Sequence, residues 1–459
     1  QILPLMKMII RNGTIVTDSQ TFEADIRIEN GSISEIGKSL QDRPDATNEI
    51  DAGGLYVFPG GIDPHVHLQL PTPAGVSSDD FYSGSRAALM GGVTSIIDFV
   101  TPARGQSILK ALEIRKREAA KSLADYTFHV SPVEFTQNTG KELFQCFELG
   151  IRSFKVYMAY KSNIGLQDEE LQSVLNVVGK KGGIVAVHCE AGDEIEKLRN
   201  KFFSRGQTSP YYHALSRPAE TEAEAVKKVI EMADKAGCAL YLVHISAARS
   251  LEHIAKAKQS GQPVYAETCP QYLLLDDTKY QGSFQETSPY VMSPPLRSKA
   301  DNKALWQALS EGVIQSVGTD HCPFTMRQKM RGISDFRKIP NGAGGIEHRL
   351  ALLFTYGVLE NRITPNQFVS LCSTMPARIF GLYPRKGSIA NGSDADLLIW
   401  NPETESTISA STQHQCCDVN IYEGIKTRGR PKLLIKGGEI VVQENRMLSE
   451  PEGQLLIRI

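Results

Sequence analysis

The chain lacks any strong excess of charge. Its 50 Lys and Arg residues nearly balance its 52 Asp and Glu, for a net charge of −2. That balance leaves no basic surface of the kind that nucleic acid or an anionic membrane face requires. Long apolar runs are also missing: none reaches the ~20 residues needed to cross a bilayer. The eight cysteines, at 146, 189, 238, 269, 322, 372, 416 and 417, include no CxxC pair. Their scatter reads as reduced, mostly buried thiols in a reducing compartment, which places the chain in the cytoplasm. The adjacent Cys416 and Cys417 leave a redox role open beside that plainer reading. The opening "QILPLMKMII" is apolar but short, with no small-residue cleavage site after it. It is therefore not read as a signal peptide, and Met6 or Met8 is a candidate natural start.

What is present has two textures. At 459 residues the chain exceeds one small core. The first fifty residues read as short strands with Asn-Gly turns at 12–13 and 30–31, and the same texture returns in "KGSIANGSDADLLIW" and "RPKLLIKGGEIVV". Two similar β-rich ends predict one small β-sandwich built from both termini, residues 1–55 and 386–459. Between them, eight short apolar runs alternate with helical patterns: "YVFPGGIDPHVH", "TSIIDFV", "DYTFHVSP", "RSFKVYMAY", "GIVAVHCE", "ALYLVHISA", "PVYAETCP" and "IQSVGTDHCP". Helix-like segments such as "SILKALEIRKREAAKSL" and "AETEAEAVKKVIEMADKAG" separate them. Eight β/α repeats predict an α/β fold, a (β/α)8 TIM-type barrel over residues 56–385.

In such a barrel the active site lies at the C-terminal strand ends. His65 and His67, in "GGIDPHVH", are two residues apart, so in an extended strand they point to one face. Strand four carries Lys155, strand five ends in His188, strand six in His244 and strand eight in Asp320. Taken singly, each has an ordinary explanation: a hydrogen-bonded core histidine, a helix-capping aspartate, a lysine paired with an acid. Their convergence at one mouth instead points to a metal site with imidazole and carboxylate ligands suited to zinc or a similar divalent ion. Lys155 alternates with Phe154, so it faces opposite to it. A desolvated amine that has lost its proton can capture carbon dioxide as a carbamate, whose two oxygens can bridge two metals.

The motifs "FPGGIDPHVH", "DDFYSGSRAALMGGVTSIIDF", "SFKVYMAYK", "YYHALSRP", "ETCPQYLLLD", "SPPLR", "TDHCPF", "IPNGAGGIEHR" and "GSDADLLIW" carry a resemblance that runs over nearly the whole chain. The sequence resembles the cyclic amidohydrolases of the amidohydrolase superfamily, most closely the dihydropyrimidinase/hydantoinase branch. The resemblance implies two zinc ions bridged by carboxylated Lys155, one held by His65, His67, Lys155 and Asp320 and the other by Lys155, His188 and His244. It implies that Tyr160 holds the substrate carbonyl and that Ser293 and Asn341 bind the ring's imide edge, although Ser-Pro-Pro and Asn-Gly are also plain turn formers. It implies hydrolytic opening of a dihydropyrimidine or hydantoin to an N-carbamoyl amino acid by a hydroxide generated at the metals, with Asp320 as base and then acid. A homotetramer or homodimer goes with the resemblance.

Departures from the branch's pattern lie at the rim: Leu68-Gln69-Leu70 after the HxH, "PTPAG", Tyr157, Cys189 and "GAGGIEHR". They leave the ligand set intact and bear on the substrate. Allantoinases and dihydroorotases share the ligand pattern. Dihydroorotate would call for a basic residue near the mouth, and the sequence offers no clear candidate. Non-catalytic relatives that act as interaction proteins have lost metal ligands, whereas this chain keeps all six.

Overall fold

The computed structural model describes residues 7–41 and 48–457. Each of the eight apolar runs forms a barrel strand, and their order in the parallel sheet is their order in the chain: Gly61–Val66, Val93–Val100, Asp125–Val130, Ser153–Tyr157, Ile184–His188, Ala239–Leu242, Val264–Thr268 and Ser316–Val317. The last meets the first through a parallel bridge between Val66 and His321, where the His67 N–H donates to the His321 carbonyl at 2.8 Å. Asp63 strengthens that seam, accepting from the Thr319 hydroxyl at 2.6 Å. Helices fill the connections. Those at Ile108–Ala119, Gln137–Glu148 and Lys299–Ser310 begin at Ser107, Thr136 and Ser298, whose side chains accept a hydrogen bond from the backbone three residues on.

Period-two alternation sorts the strand residues. Phe154, Val156, Val185, Val187, Leu240 and Leu242 face the helices in the main core. The opposite face, with Ile97, Ile184, Ala186 and Tyr241 packed on Phe380, fills the barrel interior. Lys155 lies on that inner face, beside Ala186 of the next strand.

The run "YVFPGGIDPHV", expected as a single barrel strand, is two. Tyr56–Pro59, grouped with the barrel in the sequence reading, pairs antiparallel with Leu397–Trp400 and parallel with Thr14 and Ile15. The paired glycines explain the break. A Cβ on Gly60 would run into the Thr94 side chain, and one on Gly61 would come within 3.0 Å of the Gly92 carbonyl oxygen. Only glycine lets the chain pass this closely from one sheet to the other. The segment joins a nine-stranded, mostly antiparallel sheet made from both ends of the chain. Its core is shared by Ile10, Ile15 and Ile26 from the first part and Leu397, Ile399 and Ile435 from the second. The chain then returns to the barrel floor, where the Leu456 N–H donates to the Tyr126 carbonyl at 2.7 Å. All eight cysteines are free thiols.

Candidate metal centre and active-site cavity

The strand ends converge as the spacing predicts. His65 and His67 turn their Nε2 atoms to within 3.2 Å of each other, and Asp320 Oδ1 lies 3.1 Å from the first and 3.2 Å from the second. These three offer ligand atoms that all fall within 4.8 Å of one another, a group able to hold a metal ion. His188 Nδ1 and His244 Nε2 approach to 2.9 Å on the far side. The fully buried Lys155 joins both groups in lining the cavity, 5.2 Å from the Phe99 ring centre and 4.9 Å from that of Tyr157.

The donor set fits divalent metal. Lys155 Nζ and His67 Nδ1 are buried with no hydrogen-bond partner among the described residues. Such orphans are costly unless something else satisfies them. Burial, with the neighbouring charges of His65 and Lys155, brings His67 down to about 4; burial acts the same way on His65, but Glu267 and Asp320 outweigh it and raise that imidazole to about 9. Burial also lowers Lys155, to about 8, against the pull of Asp320 and Glu267. Burial opposes charge on Asp320 as well, but His65 and His67 outweigh it and hold its carboxyl well below the usual range.

A further layer was not assigned from the sequence. Glu267, at the end of the seventh strand, places Oε1 2.7 Å from His65 Nδ1 and accepts from the Tyr241 hydroxyl at 2.7 Å and the His244 N–H at 3.1 Å. It fixes the ring orientation of His65 and the backbone of His244. Glu190 lies 2.8 Å from His188 Nε2 and forms a buried ion pair with Arg217. Burial works against its charge, yet Arg217 and His188 hold Glu190 at about 2. Arg217 then donates to the Tyr160 hydroxyl at 3.3 Å. One chain of contacts thus runs from His188 to Tyr160. The signals were acids at or just beyond the ends of apolar strands, "VHCE" and "YAET", but Arg217 and His65, which give them their roles, lie 27 and 202 residues away. His321, next to Asp320, takes no part. Its Nε2 lies 3.0 Å from Asp79, and its Nδ1 accepts from Gly345 and Ile346.

Backbone strain gathers at the same mouth. Tyr160, His244 and Asp320 hold φ values of 60°, 41° and 53°, a region that non-glycine residues rarely occupy. Such strain persists where surrounding contacts over-determine a site.

Above the ligands opens a cavity of about 650 Å³. Tyr160, Ser293 and Asn341 line it, and the Asn341 amide donates to Ser293 Oγ at 3.1 Å. Leu70, Ala74, Ile164 and Ile339 supply an apolar wall. The rim carries Arg331, Arg337 and Lys338, cationic side chains that the sequence had not marked as belonging to the mouth. Asp335 takes Arg337 in a two-pronged ion pair at 2.9 and 3.0 Å, while Arg331 holds the Pro73 carbonyl at 2.8 Å. Among the described residues, no helix is long and apolar enough to cross a membrane.

Comparison with known proteins agrees with this geometry. The family model described as "Amidohydrolase family" matches residues 56–441. The D-hydantoinase of Geobacillus stearothermophilus is 45% identical over 449 residues, covering 97% of this chain and 95% of that protein. The D-hydantoinase of Ralstonia pickettii is 42% identical over 456 residues, covering 99% of each. Among solved structures, the dihydropyrimidinase of Brevibacillus agri matches with a TM-score of 0.97 at 42% identity over 99% of both chains. Matched by the family model over residues 56–441 and by these relatives along nearly its whole length, the chain belongs to the amidohydrolase family.

Proposed function

We propose that the protein is a cyclic amidohydrolase that opens the ring of a dihydropyrimidine or hydantoin, giving an N-carbamoyl amino acid. The observation that carries this reading is the convergence of His65, His67, His188, His244 and Asp320 around the unpartnered Lys155 amine, beneath a cavity lined by Tyr160, Ser293 and Asn341. The relatives named D-hydantoinase and dihydropyrimidinase support the same substrate class.

His65, His67, Lys155 and Asp320 would hold one divalent ion, and Lys155, His188 and His244 a second, with zinc favoured by the imidazole-rich donor set. The neutral Lys155 amine would attack carbon dioxide, forming the N–C bond and releasing a proton to solvent, and the resulting carbamate would supply carboxylate-like oxygens to the metal site. When bound, such ions activate water at neutral pH and polarise a carbonyl. Asp320 takes the proton of the attacking water and delivers it to the departing ring nitrogen, since an amide nitrogen leaves poorly unprotonated. The Tyr160 hydroxyl donates to the carbonyl oxygen as negative charge develops there. Ser293 and Asn341 hold the imide edge and so aim the carbonyl at the ligand cluster. A homotetramer belongs to the same proposal and rests on the resemblance to the hydantoinase branch; a cytoplasmic location rests on the scattered free cysteines, and a division near residues 60 and 385 on the two sheets.

The test is a panel of initial rates for zinc-loaded protein on dihydrouracil, hydantoin, a 5-substituted hydantoin, allantoin and dihydroorotate. Turnover of dihydrouracil or a hydantoin is the expected result. Turnover of allantoin or dihydroorotate alone would overturn the substrate assignment and keep the ligand roles. The cationic rim gives dihydroorotate its place in the panel, because its carboxylate is what such a rim would attract.

A further inference from the structure

Lys329 closes the short helix Met326–Lys329 and is 1% exposed. It does not line the cavity. Among the described residues no carboxylate pairs with it. Its Nζ donates instead to three main-chain carbonyls: Val291 at 2.9 Å, Pro340 at 2.8 Å and Gly342 at 2.8 Å. An ammonium has three protons, so the set is complete.

The identity of the acceptors matters. Pro340 and Gly342 flank Asn341, and Val291 lies two residues before Ser293. The two segments also touch directly, through the Gly342 N–H to the Val291 carbonyl at 3.0 Å and the Asn341 amide to Ser293 Oγ at 3.1 Å. Gly342 holds φ +145°, and a Cβ there would run into Cys322. The loops are thus seated from one side by the barrel and gripped by one buried amine from within. Burial of a lysine without a carboxylate is expensive, and it pushes Lys329 down to about 7. A methionine would fill much the same space without that cost. What methionine cannot do is fix three carbonyls of two loops around a single point.

We infer that Lys329 is a positioning residue for the ring-binding edge, setting the spacing of the Ser293 and Asn341 segments without touching the substrate. The inference rests on the cyclic-amide reading above for what that edge binds. It deepens that reading by locating the control of edge geometry outside the cavity.

The experiment compares full-length wild type with K329M and K329Q. Backbone hydrogen exchange is read over residues 288–296 and 338–346, together with metal content and with KM and kcat on dihydrouracil and hydantoin. In K329M, exchange is expected to quicken in those two segments and not in the barrel strands, with metal content unchanged. KM is expected to rise about tenfold while kcat moves less, the pattern of lost binding common to ground and transition states. K329Q keeps two donors and is expected to recover part of both effects. Unaltered exchange in the two segments would overturn the inference whatever the kinetics. So would a loss spread over the whole chain, or a fall in kcat with metal and KM unmoved. Should the wild type open neither ring, the cyclic-amide reading fails by itself, and the exchange data still decide whether Lys329 sets the loops.

Discussion

At the mouth of the barrel the Nζ of Lys155 is buried and, among the described residues, has no hydrogen-bond partner. At the opposite end the equally buried Lys386 meets three carboxylates, Asp396 at 2.6 Å, Asp394 at 3.0 Å and Asp125 beside them. Asp125 opens the third barrel strand, and Lys436 reaches it at 2.8 Å, so this cluster ties the barrel floor to the terminal sheet. Burial disfavours charge on both lysines. At Lys386 the carboxylates of Asp396, Asp125 and Asp394 outweigh it and hold the pKa above the usual value. At Lys155 Asp320 and Glu267 do not, and the amine falls to about 8. The same residue type therefore does opposite work. A saturated lysine fastens structure, whereas an unsatisfied one is available for chemistry.

The comparison breaks most sharply in activity. Lys155→Met is expected to cut turnover by more than the roughly 10²–10³-fold that one hydrogen-bond donor is worth, and to lower bound metal. Because the amine has no partner to orphan, the metal-free variant should melt no lower than metal-free wild type. Partial recovery of activity with acetate or propionate is expected, since a small carboxylate can stand between the ligand groups as the carbamate would. Full activity and metal content in Lys155→Met would remove the lysine from the site.

Lys386→Met is the mirror experiment. It leaves Asp396 without a cation, Asp125 with Lys436 alone and Asp394 with Arg385 alone, and breaking a buried pair this way costs about 3–5 kcal/mol. Denaturant unfolding should show the loss, while activity per folded molecule stays. The pH dependence sharpens it. In the wild type, burial opposes the Asp125 charge, but Lys386 and Lys436 together lower its pKa below 3.8. Its contribution is therefore present above about pH 4 and is lost as pH falls through the folded value. In the variant the buried Asp396, left without a cation, and Asp125, left with one fewer, bind protons more readily when folded, so stability rises as pH drops from 7 toward 5. A variant whose deficit is the same at pH 7 and pH 5 would contradict this account of the cluster.

The two ends also differ in how far the sequence revealed them. The clustered residues at 65, 67, 155, 188, 244 and 320 were legible because each sits in or just after an apolar run that ends at the barrel mouth. Glu267, Glu190 and Arg217 were not, because a buried acid declares its role only through its partner. Glu267 finds His65 at a separation of 202 residues. The Lys386 cluster was hidden for the same reason, since Asp125 lies 261 residues away. The cationic rim escaped notice because loop residues 331–338 look like any solvated turn until folded over the cavity. Residues 56–59 were misplaced because hydrophobicity does not say which sheet an apolar run joins; steric room at Gly60 and Gly61 decided that.

Tyr160 tests whether the strained backbone at the mouth serves chemistry or only packing. Tyr160→Phe keeps the ring beside His188 and the φ of 60°, and removes one hydroxyl. Loss of that donor should lower kcat by roughly 10²-fold with metal content and melting temperature unchanged. An unchanged rate would assign the strain to structure and leave oxyanion support to another group.

The finest comparison lies between two neighbouring imidazole–carboxylate pairs, His65 with Glu267 and His321 with Asp79. Both are buried, and both have the same chemistry. Only the first histidine points its other nitrogen at the ligand cluster, since His321 spends its second nitrogen on the Gly345 and Ile346 amides. Glu267→Gln can still accept a hydrogen bond from Nδ1 but no longer draws charge toward the imidazole. Metal affinity or activity should fall about 10–100-fold, the scale of an orienting partner to a ligand histidine. Asp79→Asn should leave metal affinity alone and lower stability by about 1–3 kcal/mol, the scale of an unsatisfied buried group. Metal titration and thermal melting of the two variants, side by side, separate a carboxylate that tunes a ligand from one that pins a loop. Equal loss of metal in both would mean that the mouth is one coupled unit in which His321 also sets the ligand geometry.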